Sequence, residues 1–240
     1  MKSIASNPSA AQIRDGNSSF VFYAVFFLLT MYQHALFAQQ DTTLRQTLPA
    51  GGKLIHDKPS GKGWVNLLQD VNDWNFENNF WQLKNNVLRG AMGKEKEHHY
   101  CYTKKTYKDF ELQVLIKMTG DENINSGVCI RIQPTSWDDA PGYQVDMGKG
   151  YWGSLWEERR GNMIQKFPDS LAAKIVKQND WNHYYIIAKG HHIQAWLNGV
   201  KTIDVTHDAG FADGRIGFQL CHQHDPTVVE VKTLFIREIK

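Results

Sequence analysis

The chain has 240 residues, 27 Lys and Arg against 25 Asp and Glu, 42% hydrophobic residues and 12% aromatic ones. That content supports a packed core and excludes general disorder, and 19 glycines with only 7 prolines exclude collagen-like and linker-like chains. A formal charge of +2 excludes the dense basic face that nucleic acid requires.

Phe20 to Met31 is an uncharged apolar run, shorter than the roughly 20 residues that span a bilayer as a helix. Lys2 and Arg14 precede it and Ala35-Leu36-Phe37-Ala38 follows it. The pattern predicts a signal peptide over 1–38, cut after Ala38, and hence an exported protein, periplasmic or secreted, without stable membrane insertion after cleavage. An uncleaved anchor running through Gln33 and His34 to Ala38 is the alternative. Cleavage removes Lys2, Arg14 and Asp15 and leaves the charge near neutral. Residues 39–62 read as a polar lead-in carrying Pro49, Gly51, Gly52 and Pro59, and residues 63–240 as one folded domain.

From Trp64 onward, short alternating runs are separated by Gly, Asn and Asp turns, which predicts an all-β chain of about twelve strands in two packed sheets. In 109–118, Phe110, Leu112, Val114, Ile116 and Met118 share one face, opposite Glu111, Gln113 and Lys117. Val128, Ile130 and Ile132 alternate with Cys129, Arg131 and Gln133; Tyr143, Val145 and Met147 with Gln144 and Asp146. Ile193, Ala195 and Leu197 alternate with Gln194 and Trp196; Ile216, Phe218 and Leu220 with Arg215, Gln219 and Cys221. Phe110, Tyr143, Phe218 and Phe235 are expected between the sheets. Asn198-Gly199 predicts a hairpin, because a type I′ turn needs positive φ at both central residues. Ser170 to Lys177 predicts one or two helical turns. Cys101, Cys129 and Cys221 show no CxxC or zinc spacing and read as small buried hydrophobes.

The faces turned from the core carry Arg131, Gln133, Gln144, Asp146, Gln194, Trp196 and Gln219. Amides and carboxylates pair with hydroxyls, Arg offers a fork of donors, and Trp stacks on C–H-rich ring faces. On one concave sheet they would form a sugar site; the competing reading is an ordinary solvated face. Tyr151-Trp152-Gly153-Ser154-Leu155-Trp156-Glu157-Glu158-Arg159-Arg160 follows the Asp146 strand directly, and either Glu157 or Glu158 can face the side of Asp146. Two carboxylates flanking a glycosidic bond suffice for its hydrolysis; surface Glu–Arg ion pairs are the structural alternative. His98, His99, His222 and His224 are further candidates for general base work or metal ligation. His222, Asp146 and a glutamate are a candidate set for a divalent cation, although no ligand spacing marks one. No GxSxG, P-loop or HExxH occurs.

An ordered series of short motifs runs through the folded part: Gly63-Trp64-Val65-Asn66-Leu67-Leu68 with Trp74, Phe80-Trp81-Gln82-Leu83, Tyr107-Lys108-Asp109-Phe110-Glu111-Leu112, Asn125-Ser126-Gly127-Val128, Gly142-Tyr143-Gln144-Val145-Asp146, Ile193-Gln194-Ala195-Trp196-Leu197-Asn198-Gly199 and Gly214-Arg215-Ile216-Gly217-Phe218-Gln219. Together they resemble the 3-keto-disaccharide hydrolase family of secreted bacterial proteins. The resemblance implies a concanavalin-like jelly-roll β-sandwich that cleaves sugars oxidised at C3. It implies Asp146 or Glu157 as base, Arg131 or a metal at the ketone, and His222 as acid. Gln133, Gln144, Gln194 and Gln219 would orient hydroxyls, with Tyr151, Trp152 and Trp196 as stacking platforms. The expected partner is a small sugar or oligosaccharide; a non-catalytic carbohydrate-binding module is the competing class, and a structural envelope protein a third.

Overall fold

The computed structural model describes residues 59–121, 123–158, 160–221 and 226–240. The expected signal peptide, nearly all of the lead-in, His222 and His224 lie outside the described residues. Two antiparallel sheets form the fold, as a jelly-roll sandwich.

The first sheet contains β1 (Val65–Asn66), β3 (Trp81–Lys84), β4 (Val87–Met92), β6 (Phe110–Thr119), β11 (Asn182–Lys189), β12 (His192–Leu197), β13 (Val200–Thr206) and β15 (Thr227–Glu238). Its order is β13-β12-β11-β6-β15-β4-β3, with β1 on β15. The second contains β2 (Trp74–Asn75), β5 (His99–Thr103), β7 (Asn125–Ile132), β8 (Tyr143–Gly148), β9 (Leu155–Glu157), β10 (Asn162–Gln165) and β14 (Arg215–Leu220), ordered β10-β9-β8-β7-β14-β5-β2. Helix α1 (Asp169–Ile175) links β10 to β11, close to the expected turns. The described residues form fifteen strands rather than about twelve, because β1 and β2 have two residues each and β9 three, too few to show alternation.

The core lies between the sheets. Phe110, Leu112, Val114 and Ile116 of β6 face Val128, Ile130, Val145, Leu155, Phe218 and Leu220 of the second sheet, all fully buried. The expected faces of β6 and β8 hold. Asn198 and Gly199 turn β12 into β13 with φ of 50° and 88°, the two positive values a type I′ hairpin needs. A hydroxyl bridges the sheets: Tyr184 on β11 donates to the Asp146 carbonyl across the core, at 3.0 Å.

Two bulges break the predicted alternation. On β15 the register shifts between Val231 and Thr233, so Leu234 and Ile236 face inward while Phe235 turns out and packs near Trp64, Tyr185 and Trp196. Phe235 is therefore not between the sheets. On β7, Arg215 pairs with Ile132 but Gly217 pairs with Cys129, leaving one extra residue in β7. Arg131 absorbs it with φ of 52°. The shift carries Ile132 to the outer face, against Tyr100 and Cys129, and turns Arg131 away from it. Gly214 lies hard against this bulge: a Cβ there would sit 2.4 Å from the Arg131 carbonyl carbon.

Arg131 is consequently a brace. Its Nε and Nη2 donate to the Lys108 carbonyl at 3.0 and 2.6 Å, and Nη1 donates to the Gly190 carbonyl at 2.6 Å. Asp109 lies 3.3 Å from Nη2. These bonds tie the end of β7 to the start of β6 and the β11–β12 turn. Removing the guanidinium leaves two carbonyls without these donors, so Arg131→Ala should cost about 2–4 kcal/mol in urea unfolding. Sugar binding by the folded variant should stay within a few-fold of wild type; unchanged stability with lost binding would reverse that assignment.

Candidate functional site

Strand β8 buries both of its faces. Tyr143, Val145 and Met147 enter the core, while Gln144 and Asp146 point to the outer face of the second sheet. Register brings the neighbours into line: Gly127 lies opposite Asp146, Cys129 opposite Gln144, and Trp156 of β9 on the other side of Gln144. Two strands away, Gln219 of β14 pairs with Tyr100 of β5. The loop 148–154 closes over the end of β8. Tyr151 and Trp152 both donate their amides to the Gly148 carbonyl, at 2.9 and 3.0 Å, and Gly153 donates to the Asp146 carbonyl at 3.1 Å. The result is a cleft of about 240 Å³ lined by Gln144, Asp146, Glu158, Gln219, Tyr151 and Trp156, with His98, Asn125, Lys149 and Cys221 around them.

One amide organises the floor. Gln144 Nε2 donates to Asp146 Oδ1 at 2.9 Å and to Gln219 Oε1 at 3.2 Å, and the Cys129 thiol donates to Gln144 Oε1 at 3.2 Å. Gln219 Nε2 in turn donates to the Tyr100 oxygen at 2.5 Å. The row lies flat because Gly127 has no side chain: a Cβ there would sit 2.3 Å from Gln144 Cγ. Tyr151 meets Trp156 edge to face, with centroids 6.3 Å apart, and forms an aromatic wall. Tyr151 is 41% exposed, so its ring can still receive a ligand.

Burial dominates the electrostatics. Asp146 is 3% exposed, and desolvation raises its carboxyl well above the ordinary range; the Gln144 hydrogen bond pulls down and the nearby Glu158 charge pushes up. Glu158 is pushed up to about 7, first by burial and then by Asp139. Burial also raises the Tyr100 phenol and the Cys129 thiol, which keeps both neutral. All three cysteines are free thiols, and Cys101 and Cys129 are fully buried, as expected of small hydrophobes.

The structure gathers Gln144, Asp146, Gln219 and Tyr151 in this cleft and sends Arg131, Glu157, Gln133, Gln194, Trp196 and Trp152 elsewhere. Arg131 is turned inward by the bulge. Glu157 faces the Tyr143 side of β9, where Arg160 clamps it at 2.8 and 2.6 Å; Glu158 is the glutamate that reaches the cleft. Gln133 donates to the Asp213 carbonyl at 3.0 Å outside the cleft. Gln194 and Trp196 do face away from the core, but on the first sheet. There Gln194 bonds to Asp204 at 3.1 Å, and Trp196 packs with Trp64 and Tyr185, 2% exposed. Trp152 is buried beneath the loop and lines a neighbouring cavity rather than the cleft. His99 turns from the cleft to Glu77, 2.7 Å from its Nδ1, and stacks on Phe80, whereas His98 joins the cleft wall. Sequence reasoning missed Asn125 and Lys149. The parity that selects Gly127 also selects Asn125, so that one was within reach; nothing in the sequence marks Lys149. Among the described residues no three His, Cys, Asp or Glu side chains gather as a metal-ligand set, and His222 lies outside them.

Comparison with known proteins agrees with the resemblance. Residues 63–239 match the 3-keto-alpha-glucoside-1,2-lyase-like domain, and the chain belongs to that family. A search of curated proteins found no match. Among solved structures, a putative glycosyl hydrolase from Parabacteroides distasonis is 21% identical, with a TM-score of 0.54 over 73% of this chain and 99% of that one. The carbohydrate-binding module CBM66 from Bacillus subtilis is 17% identical, with a TM-score of 0.53 over 69% and 96%. A lichenase from a mouse hindgut metagenome is 10% identical, with a TM-score of 0.50 over 73% and 98%. These likenesses establish the shared fold, and the family is a carbohydrate-active one.

The raised carboxyl of Glu158 has a consequence for stability. Between about 4.5 and 7 the folded chain holds a proton that the unfolded chain releases, so stability falls as pH rises through that window. Glu158→Gln should match wild type near pH 4 in urea unfolding and exceed it at pH 8 by about 1–2 kcal/mol. A variant less stable than wild type at pH 8 would contradict the desolvated placement of Glu158.

Proposed function

We propose that this member of the 3-keto-alpha-glucoside-1,2-lyase-like family cleaves 3-keto-glycosides by elimination in the cleft between Asp146 and Glu158. One observation carries the reading: two carboxyls share a small cleft with an aromatic wall, and burial holds both above the ordinary range. Paired groups whose surroundings set different proton affinities are suited to divided acid and base roles.

The chemistry follows from the ketone. A carbonyl at C3 acidifies the hydrogen on C2. Glu158, half ionised near neutral pH, takes that proton. The electron pair left on C2 forms the C1=C2 bond as the C1–O bond breaks, and Asp146, kept protonated by burial, gives its proton to the departing oxygen. Water then adds at C1 and returns a proton to Asp146, while Glu158 restores the C2 proton, so both groups regain their starting states. Charge builds on the C3 oxygen during the first step. Lys149 and Asn125 line the cleft and supply donors there, the part the resemblance gives to Arg131 or a metal. Gln144 and Gln219 hold hydroxyls, and the Tyr151–Trp156 wall takes a C–H face of the sugar. The apolar run Phe20 to Met31 supports action outside the cytoplasm, as in the family's secreted members.

The same amides and aromatic wall also suit a binding module without turnover. Incubation with methyl 3-keto-glucoside, with and without chelator, separates the readings. Asp146→Asn and Glu158→Gln should each lower kcat by about 10²-fold or more, whereas folded Glu157→Gln should keep turnover within about tenfold. Near-normal kcat in both cleft variants overturns the acid–base roles. Binding without turnover in wild type favours the module, and loss of activity with chelator assigns the ketone to a cation.

A further inference from the structure

A second cavity, of about 620 Å³, adjoins the carboxylate cleft and shares Ile124 and Lys149 with it. Its floor is apolar: Met118 at the end of β6, Ile124, the buried Trp152, and Ala172 and Val176 from the helix segment. Polar groups stand at its rim, among them Asp121, Gln178 and Asn179. Its walls are tied to one another. Lys166 pairs with Asp169 on α1 at 2.7 Å and donates to the Gly150 carbonyl, and the Gly120 amide donates to Asn179 Oδ1 at 3.1 Å.

Size and lining separate the two spaces. Ligand pockets typically run about 300–1,000 Å³; the cleft, at about 240 Å³, suits a single sugar ring, and the adjoining cavity falls inside that range. The cleft carries paired carboxyls and amides fit for hydroxyls. In the cavity the buried side chains, Met118, Ile124, Trp152 and Ala172, are apolar, and the polar side chains are exposed. A group joined to the sugar must leave the cleft on some side, and among the described residues this cavity offers built room at the shared Ile124–Lys149 border.

We propose that this cavity is the subsite for the leaving group, and that it takes an apolar, ring-bearing aglycone attached at C1 of the sugar in the cleft. The proposal rests on the sugar-binding reading of the cleft but not on its chemistry. Specificity is then set by Met118, Ile124, Trp152 and α1, elements outside the acid–base pair.

Calorimetric titration of the full chain with phenyl glucoside and with methyl glucoside, the same anomer and neither oxidised at C3, tests it without turnover. Burying the ring should make the phenyl compound bind at least about tenfold tighter. Ala173 lies exposed on the cavity side of α1. Ala173→Phe fills the space and should abolish that preference, leaving methyl glucoside affinity and turnover of methyl 3-keto-glucoside within about twofold of wild type; Val176→Trp serves should the first variant unfold. Equal affinities in wild type, a preference that survives filling, tighter binding of a glucose disaccharide than of phenyl glucoside, or no binding of either glucoside overturns the proposal. Turnover of methyl 3-keto-glucoside without a phenyl preference overturns this subsite and leaves the elimination standing. A phenyl preference lost on filling, in a protein that turns over no 3-keto-glycoside, does the reverse.

Discussion

A carboxylate on the back of a core strand is the constraint around which this molecule is arranged. Val145 and Met147 require β8 to lie flat against the first sheet, and period two then fixes Asp146 on the opposite face. Tyr184 pins the Asp146 carbonyl from across the core, and the loop 148–154 hydrogen-bonds back onto the same strand. The carboxyl has no freedom to swing into solvent, so its proton affinity is set by burial rather than by the surface. Gln144, two residues earlier, satisfies one of its oxygens and passes the constraint on to Gln219 and Tyr100.

Much of the rest reads as accommodation of that row. Gly127 leaves the gap over which the Gln144 side chain lies. The β7 bulge turns Arg131, which would otherwise stand beside Cys129, into a brace between strand ends, and sets Ile132 beneath the aromatic side of the face instead. Burial and the Glu158 charge raise Asp146, while burial and Asp139 raise Glu158. Arg160 holds the neighbouring Glu157 on the far side of β9, away from the cleft.

The first sheet shows the contrasting use of similar residues. Its outer face carries a Gln, a His, a Tyr and a Trp, yet they bond among themselves: Tyr185 to Glu111, Glu111 to Arg237, and Gln113 with His183. Trp64 covers Trp196 and Tyr185. Residue types that suit sugar recognition serve there as packing, which is why chemistry on the outward face of a strand does not by itself identify a site.

The alternation of β6, β8, β12 and β14 determined the all-β class, the two-sheet core and the facing of Gln144, Asp146 and Gln219, because side chains on a strand alternate whatever surrounds them. Asn198-Gly199 determined its hairpin for an equally local reason. Tertiary structure alone decided which sheet each outward face belongs to, and so separated Gln194 and Trp196 from the cleft. It decided where an extra residue bulges, and with it the fates of Arg131, Ile132 and Phe235, since a bulge depends on the partner strand and leaves no mark in the pattern of its own. It also decided between Glu157 and Glu158, because the loop between β8 and β9 resets the parity that a reader would otherwise count through.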